Sequence, residues 1–313
     1  MKQIKTVALI GLGAIGCALA PGLQKAVGFQ NFRVIAGGAR KARLETDGVT
    51  INGANYHFNI VAPDETVEPA DLVIVIVKHT ALSSAIKDIA SQIGEATTVV
   101  SFLNGIDSEE RIAAEYGWDR LIYGFARKSV VMKDGSCNYD PNNGWFVFGE
   151  ARNATISPRI RAMIDLFDHA ALPHKVEPDM IRAMWLKFAC NVSENQSSAI
   201  LGIPFGAWHV SEHANHLRET AFWEVIRIAN QKGIDLGEAD LLQQRKHLRN
   251  IPYHNKTSML QDIETGRTTE VEMLAGAVCR MGAELGIATP VNDLFYHSLK
   301  VLEEKNAGVI KVS

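Results

Sequence analysis

Thr6-Val7-Ala8-Leu9-Ile10-Gly11-Leu12-Gly13-Ala14-Ile15-Gly16-Cys17-Ala18-Leu19 decides the fold class of this chain. A short apolar run ends in a Gly-x-Gly-x-x-Gly turn, and Ala18, Leu19 and Leu23 then follow at helical spacing. Gly11 permits the tight turn, Gly13 lets the backbone approach a pyrophosphate, and Gly16 allows close packing of helix on strand. The helix start offers unpaired N–H groups and the positive end of a dipole to phosphates. Set strand–turn–helix, the motif reads as a dinucleotide-binding fingerprint rather than a bare glycine-rich turn. Gly11, Leu12, Gly13, Ala14, Ile15 and Gly16 are therefore expected to hold the cofactor.

Charge selects the dinucleotide. An NAD site carries an acid about 20 residues beyond the glycines, whereas no Asp or Glu occurs here before Glu45. The end of the second strand reads Ala36-Gly37-Gly38-Ala39-Arg40-Lys41-Ala42-Arg43. A guanidinium offers a rigid fork of donors to a 2′-phosphate, so Arg40 points to NADPH. Lys41 and Arg43 read equally well as solvated residues of the next helix. Lys78, after Val73-Ile74-Val75-Ile76-Val77, and Asn104-Gly105, after Val99-Val100-Ser101-Phe102-Leu103, end two further strands. Ligands lie beyond the carboxyl ends of such strands, which makes both residues candidates for the same crevice.

Working outward, the N-terminal half alternates short apolar runs with helical segments, as in a parallel sheet wrapped by helices. Strands are expected at Thr6–Ile10, Arg33–Ala36, Asp71–Val77, Thr97–Phe102, Leu121–Gly124 and His174–Val176, with a helix over Ile156–His169. Arg127–Met132 and Trp145–Phe148, around Lys133-Asp134-Gly135 and Asn142-Asn143-Gly144, read as a hairpin or an edge addition. Past Pro178 strand signals stop. Helical periodicity runs through Ala221–Lys232, Ala239–Arg249, Val271–Gly286 and Asp293–Lys305. Thr269-Glu270-Val271-Glu272 reads as a capping box. The fold class is α/β then all-α: a Rossmann-like doubly wound domain over residues 1–177 and a helical domain over 178–313.

Composition narrows the partners. The chain has 313 residues, 47% of them hydrophobic, and a net charge of −3, which gives no basic footprint for nucleic acid. Its apolar runs break before a membrane span is reached. Cys17, Cys137, Cys190 and Cys279 form no CxxC pair, and no signal peptide follows Met1-Lys2-Gln3-Ile4-Lys5, so a cytoplasmic location is expected. His209, His213 and His216 lack the carboxylate–histidine pattern of a metal motif, and no metal is expected. The late apolar helices are compatible with a homodimer without specifying one.

A polar stripe crosses an otherwise apolar helix. Lys187, Asn191 and Asn195 stand at i, i+4 and i+8 among Trp185, Leu186, Phe188 and Val192. A buried ammonium is costly unless it is paired or used. The competing reading is a solvated face, because Glu194 and Ser198 fall on roughly the same side.

In these features together the chain resembles the ketopantoate reductase (2-dehydropantoate 2-reductase) family. The resemblance rests on Gly11-x-Gly13-Ala14-x-Gly16, Val77-Lys78, Asn104-Gly105, Trp185-x-Lys187-x-x-x-Asn191-x-x-x-Asn195, Lys256-x-Ser258-Met259-x-x-Asp262 and Glu270, in the family's order across nearly the whole chain. It implies an NADP-dependent oxidoreductase acting on CH–OH groups that forms pantoate on the way to pantothenate and coenzyme A. It implies Lys187 as general acid supported by Glu270, and Ser258 on the substrate carboxylate. Asn191 and Asn195 would contact the distal hydroxyl, with Asn104 between cofactor and substrate. Two positions depart from the family pattern: Gly37 stands where an arginine is common, and Phe205 where some members carry an asparagine. The second departure keeps a different 2-oxo acid or ketone open as the substrate. A non-catalytic NADP(H)-sensing protein is the alternative from another class.

Overall fold

A computed structural model describes residues 3–133 and 135–311. Two compact units emerge, Met1–Ile181 and Arg182–Ser313. The first opens with β1 (Val7–Ile10), α1 (Ala14–Val27), β2 (Phe32–Ile35), α2 (Gly38–Asp47), β3 (Val49–Ile51), β4 (Ala54–Tyr56) and β5 (Asn59–Val61). It continues with β6 (Leu72–Val75), α3 (Leu82–Asp88), β7 (Thr98–Ser101), α4 (Ser108–Tyr116), β8 (Leu121–Arg127), β9 (Val131–Lys133) and β10 (Ser136–Asn138). It closes with β11 (Trp145–Gly149), α5 (Pro158–His169) and β12 (His174–Lys175).

The main sheet has the order β12-β11-β8-β7-β6-β1-β2-β5. Its pairings are parallel except for β11 against β8. Strand β1 sits where the winding reverses, so the glycine turn leaves the sheet at its switch point, the place where such folds bind ligands. Alternating residues explain why the central strands read as unbroken apolar runs. Val7 and Leu9 of β1, with Leu72 and Ile74 of β6, join the core beneath α1 and α5. Ala8, Ile10, Val73 and Val75 join the opposite core beneath α3 and α4.

The edge regions differ from the sequence-based expectation. Strand β8 runs on to Arg127, and β11 adds to it antiparallel, with β12 beyond it as the edge strand. The hairpin is instead β9–β10, with Lys133 opposite Ser136; Asp134 of its loop lies outside the described residues. A second sheet, β4-β3-β10-β9, was not anticipated. Each of its strands has three residues, too few to show a two-residue period.

The second unit is helical, with no strand among its described residues. Its elements are α6 (Met180–Cys190), a π turn (Asn191–Asn195), α7 (Gln196–Leu201), α8 (Ala207–Val210) and α9 (Glu212–Gln231). Then come α10 (Glu238–Leu248), α11 (Ser258–Glu264), α12 (Ala275–Leu285) and α13 (Pro290–Asn306). Helix α6 begins within the first unit, whose boundary falls after Ile181.

Buried polar side chains in this unit satisfy helix starts. Fully buried Glu224 accepts from the Val291 and Asn292 N–H groups at 2.9 and 3.0 Å, where α13 begins. Gln196 accepts from the Ala275 N–H at 3.0 Å, where α12 begins. Gly286, at φ +66°, ends α12 in the left-handed region, and Pro290 opens α13.

The capping box does not form. The Thr269 N–H and hydroxyl both donate to Glu303 at 2.7 Å, while Glu272 turns to Tyr296 and Lys300. The reason is positional: Glu272 lies in a 3-10 turn, Val271–Met273, and the regular helix starts only at Ala275. No helix among the described residues is long and apolar enough to cross a membrane.

Candidate active site

The three glycines of the first turn divide their work. Gly11 has φ +107°, and a Cβ there would sit 2.2 Å from the Ile76 carbonyl oxygen; at Gly16 it would sit 2.1 Å from the Gly11 carbonyl oxygen. Both are glycine because the protein itself closes on them. A Cβ on Gly13 would meet nothing within 4 Å. Its bareness serves no internal packing and leaves the backbone open to a ligand. Gly13 is also the N-cap of α1, with no side-chain cap and no acid in the first turn. The helix start thus offers its N–H groups outward, as a pyrophosphate requires. These observations fit a bound dinucleotide.

Arg40 lies exposed in the first turn of α2 and donates to the Leu12 carbonyl at 3.0 Å. The guanidinium is therefore held against the glycine turn. Lys41 faces elsewhere, bonded to the Ile60 carbonyl at 3.1 Å and to Glu65 at 3.2 Å. Burial lowers its pKa, but Glu65 and Glu45 outweigh that effect and raise it overall. Lys41 is committed to these acids, which leaves Arg40 and exposed Arg43 as the cations on the outer side of α2. Gly37 is exposed at the N-cap of α2.

Beyond β6, exposed Lys78 caps a 3-10 turn, His79–Ala81. Beyond β7, half-buried Asn104 precedes Gly105, whose φ of +93° sets a sharp bend. Position at a strand end singled out these two residues and gave no sign of their neighbours His79 and Asp107. His79 Nε2 lies 2.8 Å from Asp107 Oδ2, and Arg111 reaches both His79 (3.2 Å) and Ser83 (2.6 Å). Burial raises the Asp107 carboxyl, but the His79 bond and charge, with Arg111, hold it below the usual range.

In the second unit the stripe is not a solvated face. Lys187 is 8% exposed, and both Glu194 and Ser198 are buried. Between residues 188 and 199 only Asn191 and Asn195 are more than buried. Side chains four apart on an α-helix drift by roughly 40°; the wider π turn over Asn191–Asn195 alters that register.

Its displaced carbonyls are taken up by side chains. Gln196 donates to Val192 O at 2.8 Å, Ser197 to Ser193 O at 2.6 Å, and Ser193 to Cys190 O at 3.1 Å. Polar residues at buried positions were the available sign of this turn. Behind it, Glu194 accepts from Gln244 at 2.7 Å and faces fully buried Arg218 at 3.9 Å.

The Lys256–Asp262 segment sorts itself in the same way. Lys256 pairs with Glu264 at 2.7 Å and Asp262 with Arg267 at 2.7 Å, while Met259 is buried. Thr257, not Ser258, is the N-cap of α11, accepting from the Leu260 N–H at 3.3 Å. Ser258 is left exposed at the first helical position. Half-buried Glu270 caps the 3-10 turn through its main-chain carbonyl, which accepts from Met273 and Leu274. The Phe205 ring packs edge-on against Trp208 at 5.3 Å in a small apolar cluster with Leu248. Among the described residues no group of three or more His, Cys, Asp or Glu is placed to hold a metal ion.

Comparison with known proteins gives concordant results. The sequence models described as "Ketopantoate reductase PanE/ApbA" and "Ketopantoate reductase PanE/ApbA C terminal" match residues 7–153 and 179–303. The chain is 28% identical over 245 residues to the 2-dehydropantoate 2-reductase of Vibrio cholerae, covering 77% of this chain and 80% of that one. It is 24% identical over 269 residues to the uncharacterized oxidoreductase YkpB of Bacillus subtilis, covering 84% and 88%. A solved D-mandelate dehydrogenase, bound to NADH and anilino(oxo)acetate, shares the fold at a TM-score of 0.85 and 22% identity, covering 96% and 99% of the two chains.

Proposed function

The chain belongs to the ketopantoate reductase family of oxidoreductases acting on CH–OH groups, and from that premise we propose that it reduces 2-dehydropantoate to pantoate with NADPH. The reaction would serve pantothenate and coenzyme A synthesis. The observation that carries the reading is the burial of Lys187 on a helix whose next twelve residues expose only two amides, Asn191 and Asn195. A lysine kept from water beside neutral amides suits a proton donor better than a surface charge.

When bound, the dinucleotide supplies a hydride to the ketone carbon. The turn from Gly11 to Gly16, with Lys78, holds its phosphates, and Arg40 takes the 2′-phosphate. Lys187 delivers the proton from Nζ to the ketone oxygen as negative charge grows there. Glu270 keeps that amine cationic despite burial. Ser258 binds the substrate carboxylate, Asn191 and Asn195 its distal hydroxyl, and Asn104 contacts both cofactor and substrate. Neutral amides and a hydroxyl hold a polar substrate without disturbing the charge balance around the lysine.

A second reading keeps the chemistry and changes the substrate. Phe205, an apolar ring in place of an amide, favours a 2-oxo acid without a distal hydroxyl. A panel of branched and aromatic 2-oxo acids, each with NADPH and NADH, separates the readings by kcat/KM. Ketopantoate best with NADPH supports the first; another acid preferred tenfold or more, about 1.4 kcal/mol, replaces it. A non-catalytic sensor would bind NADPH and reduce none of the panel.

A further inference from the structure

Asp107 breaks a local rule. It occupies the N-cap of α4, where an aspartate normally accepts from the first-turn N–H groups, yet its side chain makes no cap bond. The carboxylate turns instead to His79 Nε2 at 2.8 Å, across to the loop after β6. Arg111, one turn into α4, braces the pair. Its guanidinium lies 3.2 Å from His79 Nε2, 3.7 Å from Asp107 and 2.6 Å from Ser83 Oγ, on α3. A helix start has given up its cap for a bond between two neighbouring strand ends. Departures of this kind from local preference collect at functional sites.

The position gives the bond its consequence. His79 follows Lys78 directly, and Asp107 comes three residues after Asn104, across the bend that Gly105 makes at φ +93°. Beta strands β6 and β7 are paired neighbours, so the bond ties together the two loops that leave them at the carboxyl edge of the sheet. We infer that His79 and Asp107 are positioning residues, which lock the Lys78 loop to the Asn104 loop and so fix both side chains for the dinucleotide. The inference rests on the proposed roles of Lys78 and Asn104.

The test is NADPH affinity of the full-length protein, read by quenching of its tryptophan fluorescence. His79→Ala and Asp107→Ala each weaken NADPH about tenfold, and the double variant is also about tenfold weaker rather than a hundredfold, because both changes release one clamp. His79→Gln, which keeps a donor towards Asp107, retains most of the affinity. Should the alanine variants not fold, His79→Phe, which keeps the ring volume without the bond, carries the same expectation. Unchanged affinity in folded variants, with only the melting temperature lowered, overturns the clamp; so do losses that multiply in the double variant. Turnover of ketopantoate by the unaltered enzyme reports separately on the proposed function.

Discussion

Glu109 gives the structure's clearest quantitative consequence. It lies in the first turn of α4, 2% exposed, and accepts from the Ser108 hydroxyl at 2.9 Å, while its other oxygen, Oε1, is buried with no hydrogen-bond partner among the described residues. Burial pushes its carboxyl up to about 7, against the smaller opposing pull of Ser108 and backbone N–H groups. Between the usual value of 4.5 and about 7, the folded chain therefore holds a proton that the unfolded chain has released. Stability must fall as pH rises through that window and level off above it. At about 1.4 kcal/mol per pH unit, the loss is roughly 3 kcal/mol. Glu109→Gln keeps the shape and removes the titration. Urea unfolding at pH 5 and pH 8 should show the variant gaining roughly 2–3 kcal/mol on the unaltered protein between the two conditions, since the window opens below pH 5. An identical difference at both pH values, or one of opposite sign, would refute the reasoning.

Two further outcomes concern the cofactor. Arg40→Ala removes a charged donor set, worth about 1.5–3 kcal/mol, so NADPH should weaken ten- to a hundredfold by titration while NADH changes little; equal losses would contradict a 2′-phosphate role. Gly13→Ala adds a methyl that meets no protein atom within 4 Å, so melting should be nearly unchanged while NADPH binding falls by roughly tenfold, about 1.4 kcal/mol. Gly16→Ala is its control: a Cβ 2.1 Å from the Gly11 carbonyl oxygen should lower the melting temperature itself.

How much was legible in advance depended on length and on distance along the chain. Strands β1 and β6 were readable because four buried residues in each gave continuous apolar runs, in β1 directly before the glycine turn. The sheet β4-β3-β10-β9 was not, because three-residue strands carry no period, and the parallel pairing of β10 with β3 is made only by the tertiary fold. The stripe of Lys187, Asn191 and Asn195 was visible as spacing. The π turn beneath two of its members was not, since it depends on Gln196 and Ser197 reaching back to main-chain carbonyls. Thr269 and Glu272 fitted a capping box, and Glu303, from a helix far along the chain, displaced it. Arg40 was set apart from Lys41 by its guanidinium alone, and the bonds of Arg40 to the Leu12 carbonyl and of Lys41 to Ile60 and Glu65 add a separation that no local signal carries. Local signals were reliable where the chain satisfied its own backbone, and failed where a distant residue did so.

The most direct measurement is single-turnover reduction of ketopantoate with NADPH by the unaltered enzyme and by Lys187→Ala. Losing a general acid should slow the chemical step by roughly 10²–10⁴, with NADPH affinity intact. A variant that turns over at the unaltered rate would remove Lys187 from the chemistry and contradict the account.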